Sequence, residues 1–259
     1  MKSTKILLLV IFFLGLSLRL FNVDKLPSIL NRDEAALAYN ALLIKETAQD
    51  EWQAKWPLTF KSFGDYKLPG YPYLLAGLFT ILPVNDFSTR LPSVLAGSFL
   101  ILVAFFFAKD VLRVKKSSAL LMSLLIAISP VFFFYSRIAF EANLALFLFV
   151  SGLYFLLKDK ENFLLGSFFL FLAVLTYNTP LLLLPFLIPL LIYKIGWQKK
   201  KKWLKATILL VLILVWAILN FYNLTSQKSG ITIFSDQTVW ENFANYRSNF
   251  SGIWQIVLG

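Results

Sequence analysis

The segment "YPYLLAGLFTILP", residues 71–83, decides the topology of the fold because it is apolar but only 13 residues long. A helix needs about 20 residues to cross the hydrocarbon core of a bilayer, which is about 30 Å thick. Proline lies near the start of the segment and again at its end. If the segment crosses, every later loop changes sides. If it does not cross, it lies along the membrane surface.

Longer uncharged runs flank this segment and indicate a polytopic membrane protein. Hydrophobic residues make up 58% of the chain and charged residues 15%, whereas a soluble domain is about a quarter charged. The candidate transmembrane spans are residues 6–21, 91–108, 117–135, 142–157, 163–177, 180–193 and 206–221.

The distribution of lysine and arginine indicates that residues 71–83 do not cross. With a cytoplasmic N-terminus and seven spans, the basic loops at 109–116, 158–160 and 194–205 all face the cytoplasm, as the positive-inside rule requires. An eighth span would turn the first and last of these loops outward. The sequence therefore predicts an all-α polytopic membrane protein with about seven transmembrane helices. Its long first outer loop, residues 22–90, is predicted to carry juxtamembrane helices.

The absence of cysteine and histidine limits the possible chemistry. It excludes disulfides, thiol nucleophiles and histidine–metal sites. No Walker loop, Rossmann fingerprint or metal-spacing motif occurs. The net charge of +11 comes mainly from the short basic loops and reflects topology, so no nucleic-acid partner is expected.

The first outer loop opens with "ILNRDEAALAYN", residues 29–40, in which Asp33 and Glu34 are adjacent. Asn31 and Glu34 have the spacing of a capping box, and acidic side chains suit the positive end of a helix. One interpretation is therefore a structural helix start. The other is that the two carboxylates act on a substrate at the membrane surface.

The same loop continues with "SFGDYKLPGYPYL", residues 62–74, which contains Asp65, Tyr66 and Lys67. Its glycines and prolines are typical of a turn-rich surface loop, although a flexible arm offering a cation to an anionic lipid headgroup is an equal alternative. Arg90 follows at a span boundary, where arginine is often an interface anchor.

The second outer loop lies within "FFFYSRIAFEANLALF", residues 132–147, and carries Arg137 and Glu141. Their spacing of four residues would allow a local ion pair if the next helix began early. Ionisable groups between two apolar spans, at membrane depth, are energetically costly and point to a functional site.

The order and spacing of these motifs resemble the polyprenyl-phosphate-dependent membrane glycosyltransferases of the C-type fold. That family includes protein O-mannosyltransferases and bacterial aminoarabinose transferases acting on lipid A. The resemblance covers roughly residues 5–180. The matching segments are "NRDEAALAY", "DEW…WPLTFKSFGDYKLPGYPYL", "STRLPSVLAG" and "YSRIAFEANLALF".

The resemblance implies a role for each candidate residue. Asp33 would take the proton from an acceptor hydroxyl, while Glu34 and Glu141 would orient the acceptor or hold a divalent cation. Fixed cations would stabilise the departing phosphate. The predicted catalytic residues are Asp33, Glu34 and Glu141; the predicted lipid-phosphate-binding residues are Lys67, Arg90 and Arg137; the secondary candidates are Asp65 and Tyr66.

The implied reaction is an inverting sugar transfer at the outer face of a bacterial plasma membrane. The donor would be a sugar on undecaprenyl or a similar polyprenyl phosphate, and the acceptor would be a lipid, a glycan or a protein. No nucleotide site is expected, and no cofactor beyond a possible divalent cation.

Two alternatives to this enzyme remain open. The first is a truncated, non-catalytic membrane subunit, which the end of the chain at Gly259 supports, and the second is a transporter. Residues 1–221 would form the transmembrane core, and residues 222–259 an outer-face tail or the start of a missing C-terminal region. Because family members typically continue further, the chain could be a truncated, non-catalytic membrane subunit. A lipid or solute transporter fits less well, since it usually has mid-membrane charges on broken helices.

Overall fold

The computed structural model describes residues 2–62, 65–158, 162–183 and 186–187, and this part of the chain is mostly helical. The helices are α1 (Lys2–Leu20), α2 (Arg32–Thr47), α3 (Gly70–Leu78), α4 (Asp86–Phe106), α5 (Lys116–Ile128), α6 (Pro130–Ser136), α7 (Glu141–Leu157) and α8 (Phe163–Thr176). A π-helical turn, Phe107–Val111, extends α4. Two three-residue strands, β1 (Phe60–Ser62) and β2 (Asp65–Lys67), pair antiparallel in what the sequence predicted as a loop or arm.

Two helices are long and apolar enough to cross a membrane, namely Ser3–Leu20 and Asp86–Val111. The bent pair α5–α6 adds a third candidate. The apolar helices α7 and α8 are shorter, with 17 and 14 residues. The predicted spans 180–193 and 206–221 lie largely or wholly outside the described residues, as does the tail 222–259. The count of seven spans therefore stays a prediction.

The third predicted span, residues 117–135, consists of two helices rather than one. Helix α5 ends at Ile128, α6 begins at Pro130, and the two axes differ by 54°. Proline has no N–H to donate and its ring clashes with the preceding turn, so a helix breaks at this residue. Pro130 within the apolar run is the sequence signal for this break.

The segment that decides the topology forms α3, a helix of nine residues. At 1.5 Å per residue it is about 13 Å long, much shorter than a bilayer core. Tyr71 and Leu75 on α3 are fully buried in a core cluster that also contains Leu37 and Ala41 of α2. Helix α3 thus packs against α2.

Helix α4 occupies the centre of the described bundle, where it contacts α1, α5, α6 and α7. Helices α7 and α8 approach so closely that a Cβ atom on Gly152 would lie 3.0 Å from the carbonyl oxygen of Gly166, and the converse distance is also 3.0 Å. The C-terminus of α1 and the N-termini of α2, α4 and α7 lie at one end of the bundle, where residues at or near these helix ends form hydrogen bonds with each other. The predicted site residues lie at this end.

Candidate active site

The N-terminus of α2 combines a helix cap with two carboxylates. Asn31 accepts a hydrogen bond from the Glu34 backbone N–H at 2.9 Å, and its own N–H donates to Glu34 Oε2 at 3.0 Å. The predicted capping box is therefore confirmed. Because the box turns Glu34 inward, Asp33 is left at the surface with its side chain 56% exposed.

Glu34 forms a buried ion pair with Arg90 of α4. Arg90 donates from Nε to Oε1 at 2.9 Å and from Nη2 to Oε2 at 3.3 Å. The Ala139 backbone N–H also donates to Oε1, at 2.7 Å. With the bond from the Asn31 N–H, both carboxylate oxygens have two donors each, so Glu34 is saturated.

Arg90 is fully buried and uses its remaining donors on the chain between α1 and α2. Nη1 donates to the carbonyl oxygens of Val23 at 2.7 Å and Pro27 at 2.9 Å, and Nη2 donates to Ile29 at 3.2 Å. All five N–H groups of the guanidinium are thereby engaged. Arg90 therefore stabilises the segment that precedes α2 and does not face an open surface.

Lys67 connects the other two predicted carboxylates. Its Nζ lies 3.4 Å from Asp33 Oδ1 and 3.6 Å from Glu141 Oε1. The side chains are 56% exposed for Asp33, 16% for Lys67 and 4% for Glu141. We refer to Asp33, Lys67 and Glu141 as the carboxylate–lysine cluster. It runs from the surface into the protein.

Burial alters the ionisation of Glu141 and of Tyr71, a residue outside the cluster that is influenced by the charge of Glu141. Burial raises the pKa of Glu141 above the ordinary value of a glutamate, while the charge of Lys67 opposes this rise and that of Asp33 adds to it. Burial also raises the pKa of Tyr71 well above its usual range, and the charges of Glu141 and Glu34 add to this effect. The Tyr71 hydroxyl donates to the Thr89 carbonyl at 3.1 Å. Sequence reasoning missed Tyr71, whose residue type and apolar surroundings give no signal of this position.

Arg137 and Glu141 do not form the local ion pair that their spacing would allow. Arg137 caps the C-terminus of α6, whereas Glu141 is the first residue of α7, so the two do not share a helix face. Glu141 instead approaches Lys67. The Arg137 guanidinium donates to backbone carbonyls at the end of α1 and just beyond it, namely those of Leu18, Arg19, Asn22 and Leu26, at 2.9 to 3.4 Å.

The secondary candidates, Asp65 and Tyr66, lie in β2. The Asp65 backbone pairs with Ser62, and its side chain lies outside the described part of the structure. Tyr66 pairs with Lys61 and is half-buried. Within the described ranges no group of three or more Asp, Glu, His or Cys residues is arranged to hold a metal ion.

A second acidic pair in the first loop has structural partners. Asp50 is buried and accepts hydrogen bonds from the backbone N–H groups of Trp52 at 2.9 Å and Ala54 at 2.8 Å. Glu51 accepts from the side chain of Asn40 at 3.1 Å, and its own N–H donates back to that amide at 3.1 Å. These two acids organise a turn and do not join the cluster.

An apolar groove of about 240 Å³ runs along α7 and reaches the residue that follows Glu141. One of its lining residues, Ala142, directly follows Glu141 in α7. The lining residues are Ala142, Ala145, Leu146, Phe149, Tyr177, Thr179, Pro180 and Leu183. A charged cluster therefore adjoins an apolar surface at this end of the bundle.

Residues 67–219 match the family model described as "Dolichyl-phosphate-mannose-protein mannosyltransferase". The match begins at Lys67 and covers more than half of the 259 residues. The chain belongs to this mannosyltransferase family. A search of curated proteins found no match.

Solved structures agree with the mannosyltransferase assignment at the level of the fold. The chain is similar to ArnT from Cupriavidus metallidurans bound to undecaprenyl phosphate, with 16% identity and a TM-score of 0.57. It is also similar to the apo state of ArnT, with 16% identity and a TM-score of 0.55. The alignments cover 93% and 91% of this chain but 44% of each ArnT chain, so it spans less than half of their length. The resemblance inferred from the sequence is confirmed, and the chain is an integral membrane protein with an ArnT-like fold.

Proposed function

We propose that this chain carries the reaction centre of a membrane glycosyltransferase. The enzyme transfers a sugar from a polyprenyl phosphate to an acceptor hydroxyl, with inversion, at the outer face of a bacterial plasma membrane. The observation that carries the proposal is the contact of Lys67 Nζ with both Asp33 and Glu141. One cation between two carboxylates, beside an apolar groove, combines a phosphate-binding group with a base.

Asp33 is the general base in this proposal. Its carboxylate is exposed enough to reach an acceptor, unlike the saturated carboxylate of Glu34. The acceptor oxygen forms a bond to the anomeric carbon while the bond from that carbon to the phosphate oxygen breaks. Asp33 takes the hydroxyl proton, and the bonding electrons leave with the polyprenyl phosphate. General-base assistance of this kind contributes about 10²- to 10⁴-fold.

Lys67 stabilises the negative charge that develops on the leaving phosphate. A fixed cation in a partly dry site acts strongly on such charge, because little solvent screens it. Glu141 holds Lys67 from the buried side and orients the acceptor. Arg90 and Arg137 have their donors on protein groups, so we now assign them positioning roles instead of direct phosphate contact.

The apolar groove beside Glu141 suits the first isoprene units of the donor. A polyprenyl chain is apolar throughout, and the lining residues of the groove are almost all apolar. A phosphate at Lys67 then leaves the lipid tail free to run between helices toward the membrane interior. The predicted seven-span topology puts this end of the bundle outside the cytoplasm, where a lipid-linked donor replaces a nucleotide sugar.

The test is incorporation of labelled sugar from a polyprenyl-phosphate donor by the purified, reconstituted protein. We expect Asp33→Asn and Lys67→Ala each to lose at least about 100-fold in rate. Matched controls are Asp24→Asn and Lys25→Ala, which alter exposed charges on the same loop. The controls should retain the native rate.

Equal transfer by the native protein and both site variants would remove the proposed reaction centre. Absence of transfer by the native chain, with donors and acceptors that serve a longer relative, would favour the non-catalytic subunit.

A further inference from the structure

Arg19 is a charged residue near the end of the apolar helix α1, and its side chain is fully buried. A buried guanidinium is costly unless its donors are satisfied. In the sequence Arg19 is a single charge within the candidate span 6–21. Its contacts give it a specific partner, the bend between α5 and α6.

The carbonyl oxygens at the end of α5 accept hydrogen bonds from Arg19. Nη2 donates to Ile126 and Nη1 to Ala127, both at 3.0 Å. The last carbonyls of any helix lack helical donors, and Pro130, four residues after Ile126, has no N–H to offer. Arg19 thus supplies donors that the proline-induced break removes. In this way a residue of α1 stabilises the 54° bend between α5 and α6.

The same guanidinium reaches the end of α6. Its Nε donates to Ser136 Oγ at 3.2 Å, and that hydroxyl donates to the Phe132 carbonyl. Gly97 on α4 makes this approach possible, because a Cβ atom there would overlap Ser136 Oγ and lie 3.3 Å from Arg19 Nε. Arg19 therefore contacts both helices of the bent pair.

A second arginine, directly after Ser136, connects the bent pair back to α1. Arg137 donates to carbonyl oxygens at the C-terminus of α1, including Leu18 at 2.9 Å and Arg19 at 3.4 Å. A cation is favourable at the negative end of a helix. Arg19 of α1 thus binds the bent pair, and Arg137 of the bent pair binds α1.

We propose that Arg19 and Arg137 form a reciprocal clasp that positions Glu141 and the Ala139 amide against α2, which makes Arg19 a positioning residue of the site. Only Ile138 separates Ala139 from Arg137, and the Ala139 N–H reaches Glu34 Oε1 at 2.7 Å. Glu141 then begins α7 with Oε1 3.6 Å from Lys67 Nζ. The catalytic consequence rests on the proposed function, whereas the geometric consequence does not.

The geometric test uses the natural lack of cysteine. Spin labels are attached to cysteines replacing Tyr39 on α2 and Val131 on α6, which are 52% and 60% exposed, in the full chain in lipid nanodiscs. Pulsed EPR then measures the distance between them. We expect Arg19→Met to shift or broaden this distance by about 2 Å or more, the scale of helix shifts in packed bundles. Arg113→Met, an exposed change in the loop that follows the π-helical turn at the opposite end of the bundle, is the control and should leave the distance unchanged.

The catalytic test separates binding from turnover in the sugar-transfer assay. Arg19→Met should lower kcat at least about tenfold, since small misplacements of reacting groups are costly, while the KM for the donor stays within about twofold. Arg19→Lys keeps the charge and part of the hydrogen bonding, so it should restore kcat partly. Ser136→Ala removes the Nε acceptor, together with the bond from the hydroxyl to the Phe132 carbonyl, and keeps Arg19 itself. It serves if Arg19→Met does not fold, and its kcat should fall with KM unchanged.

An unchanged EPR distance in folded Arg19→Met and in Ser136→Ala overturns the clasp. A changed distance with native kcat and KM overturns the positioning role. If the native chain transfers no sugar, the proposed function and the catalytic consequence both fail, and the EPR distances alone decide the geometric claim.

Discussion

Two adjacent acids at the start of α2 have opposite environments. Glu34 is 1% exposed and saturated by Arg90 and backbone donors, whereas Asp33 is 56% exposed and contacts Lys67 at 3.4 Å. The capping box turns one side chain inward and leaves the other at the surface. A buried, fully bonded ion pair organises a protein, while a partly solvated carboxylate beside a cation remains available to a substrate. The pair Glu34–Arg90 thus supports the site that the carboxylate–lysine cluster forms.

We expect Asp33→Asn to show the largest difference between its effect on the transfer rate and its effect on stability. Transfer should fall about 10²- to 10⁴-fold because the base is lost. The free energy of unfolding should change by less than about 1 kcal/mol, because the Asp33 side chain is more than half exposed to solvent. Parallel measurements of transfer rate and of unfolding in mixed detergent check both values. A stability loss as large as the activity loss would erase the distinction between the two acids.

Arg90→Met should act in the opposite way, with its main effect on the stability of the fold. It leaves the Glu34 carboxylate buried without its cation, and the expected cost is about 3–5 kcal/mol of unfolding free energy. The double variant Glu34→Gln with Arg90→Met removes the uncompensated charge and should be less destabilised than Arg90→Met alone. Unfolding curves of the three proteins test this order, and a native-like Arg90→Met would show that the pair is dispensable for the fold.

The buried end of the cluster should respond to pH. Burial raises the pKa of Glu141, so the folded protein holds this proton more tightly than the unfolded chain does. The group therefore contributes stability at acidic pH, and this contribution is lost as pH rises from the ordinary glutamate pKa through the raised folded value. Glu141→Gln lacks this titration, so the native protein should lose stability relative to it over that pH range. Melting temperatures of both proteins at a series of pH values check the sign; a native protein that gains stability relative to the variant would indicate a lowered pKa.

The smallest expected effect is that of the cap itself. Asn31→Ala removes the acceptor for the Glu34 N–H and should cost about 1 kcal/mol, while Asn31→Asp should retain most of the stability. The same unfolding assay applies. A change of several kcal/mol for Asn31→Ala would mean that the cap, rather than the Glu34–Arg90 pair, holds the start of α2.

Local features of this site were predictable from the sequence because they depend on residues close together in the chain. The capping box at Asn31 and Glu34 and the boundaries of α7, predicted within one residue of Glu141–Leu157, are of this kind. The break at Pro130 was equally local, and its signal was present in the apolar run. Family resemblance added the membership of Asp33, Lys67 and Glu141 in one site, and the structure brings them into contact.

Long-range polar contacts were not predictable from the pattern. Arg90 finds acceptors on residues 56 to 67 positions away in the chain, and nothing in its local sequence distinguishes a buried clamp from an interface anchor. The spacing of Arg137 and Glu141 left a local ion pair open, but α7 begins only at Glu141, so the two residues do not share a helix face. Arg19 gave no signal beyond its presence in an apolar helix, because its partners at Ile126 and Ala127 depend on how α1 packs against α5.

The central claim is that Lys67, held between Asp33 and Glu141, receives the phosphate of the lipid donor. Binding of polyprenyl phosphate to the detergent-solubilised protein, measured for the native chain, Lys67→Ala and Lys25→Ala, tests it without requiring turnover or a known acceptor. We expect Lys67→Ala to weaken binding at least about tenfold, since it removes the charge that faces the phosphate, and Lys25→Ala to bind like the native protein. Native affinity in Lys67→Ala would contradict the account.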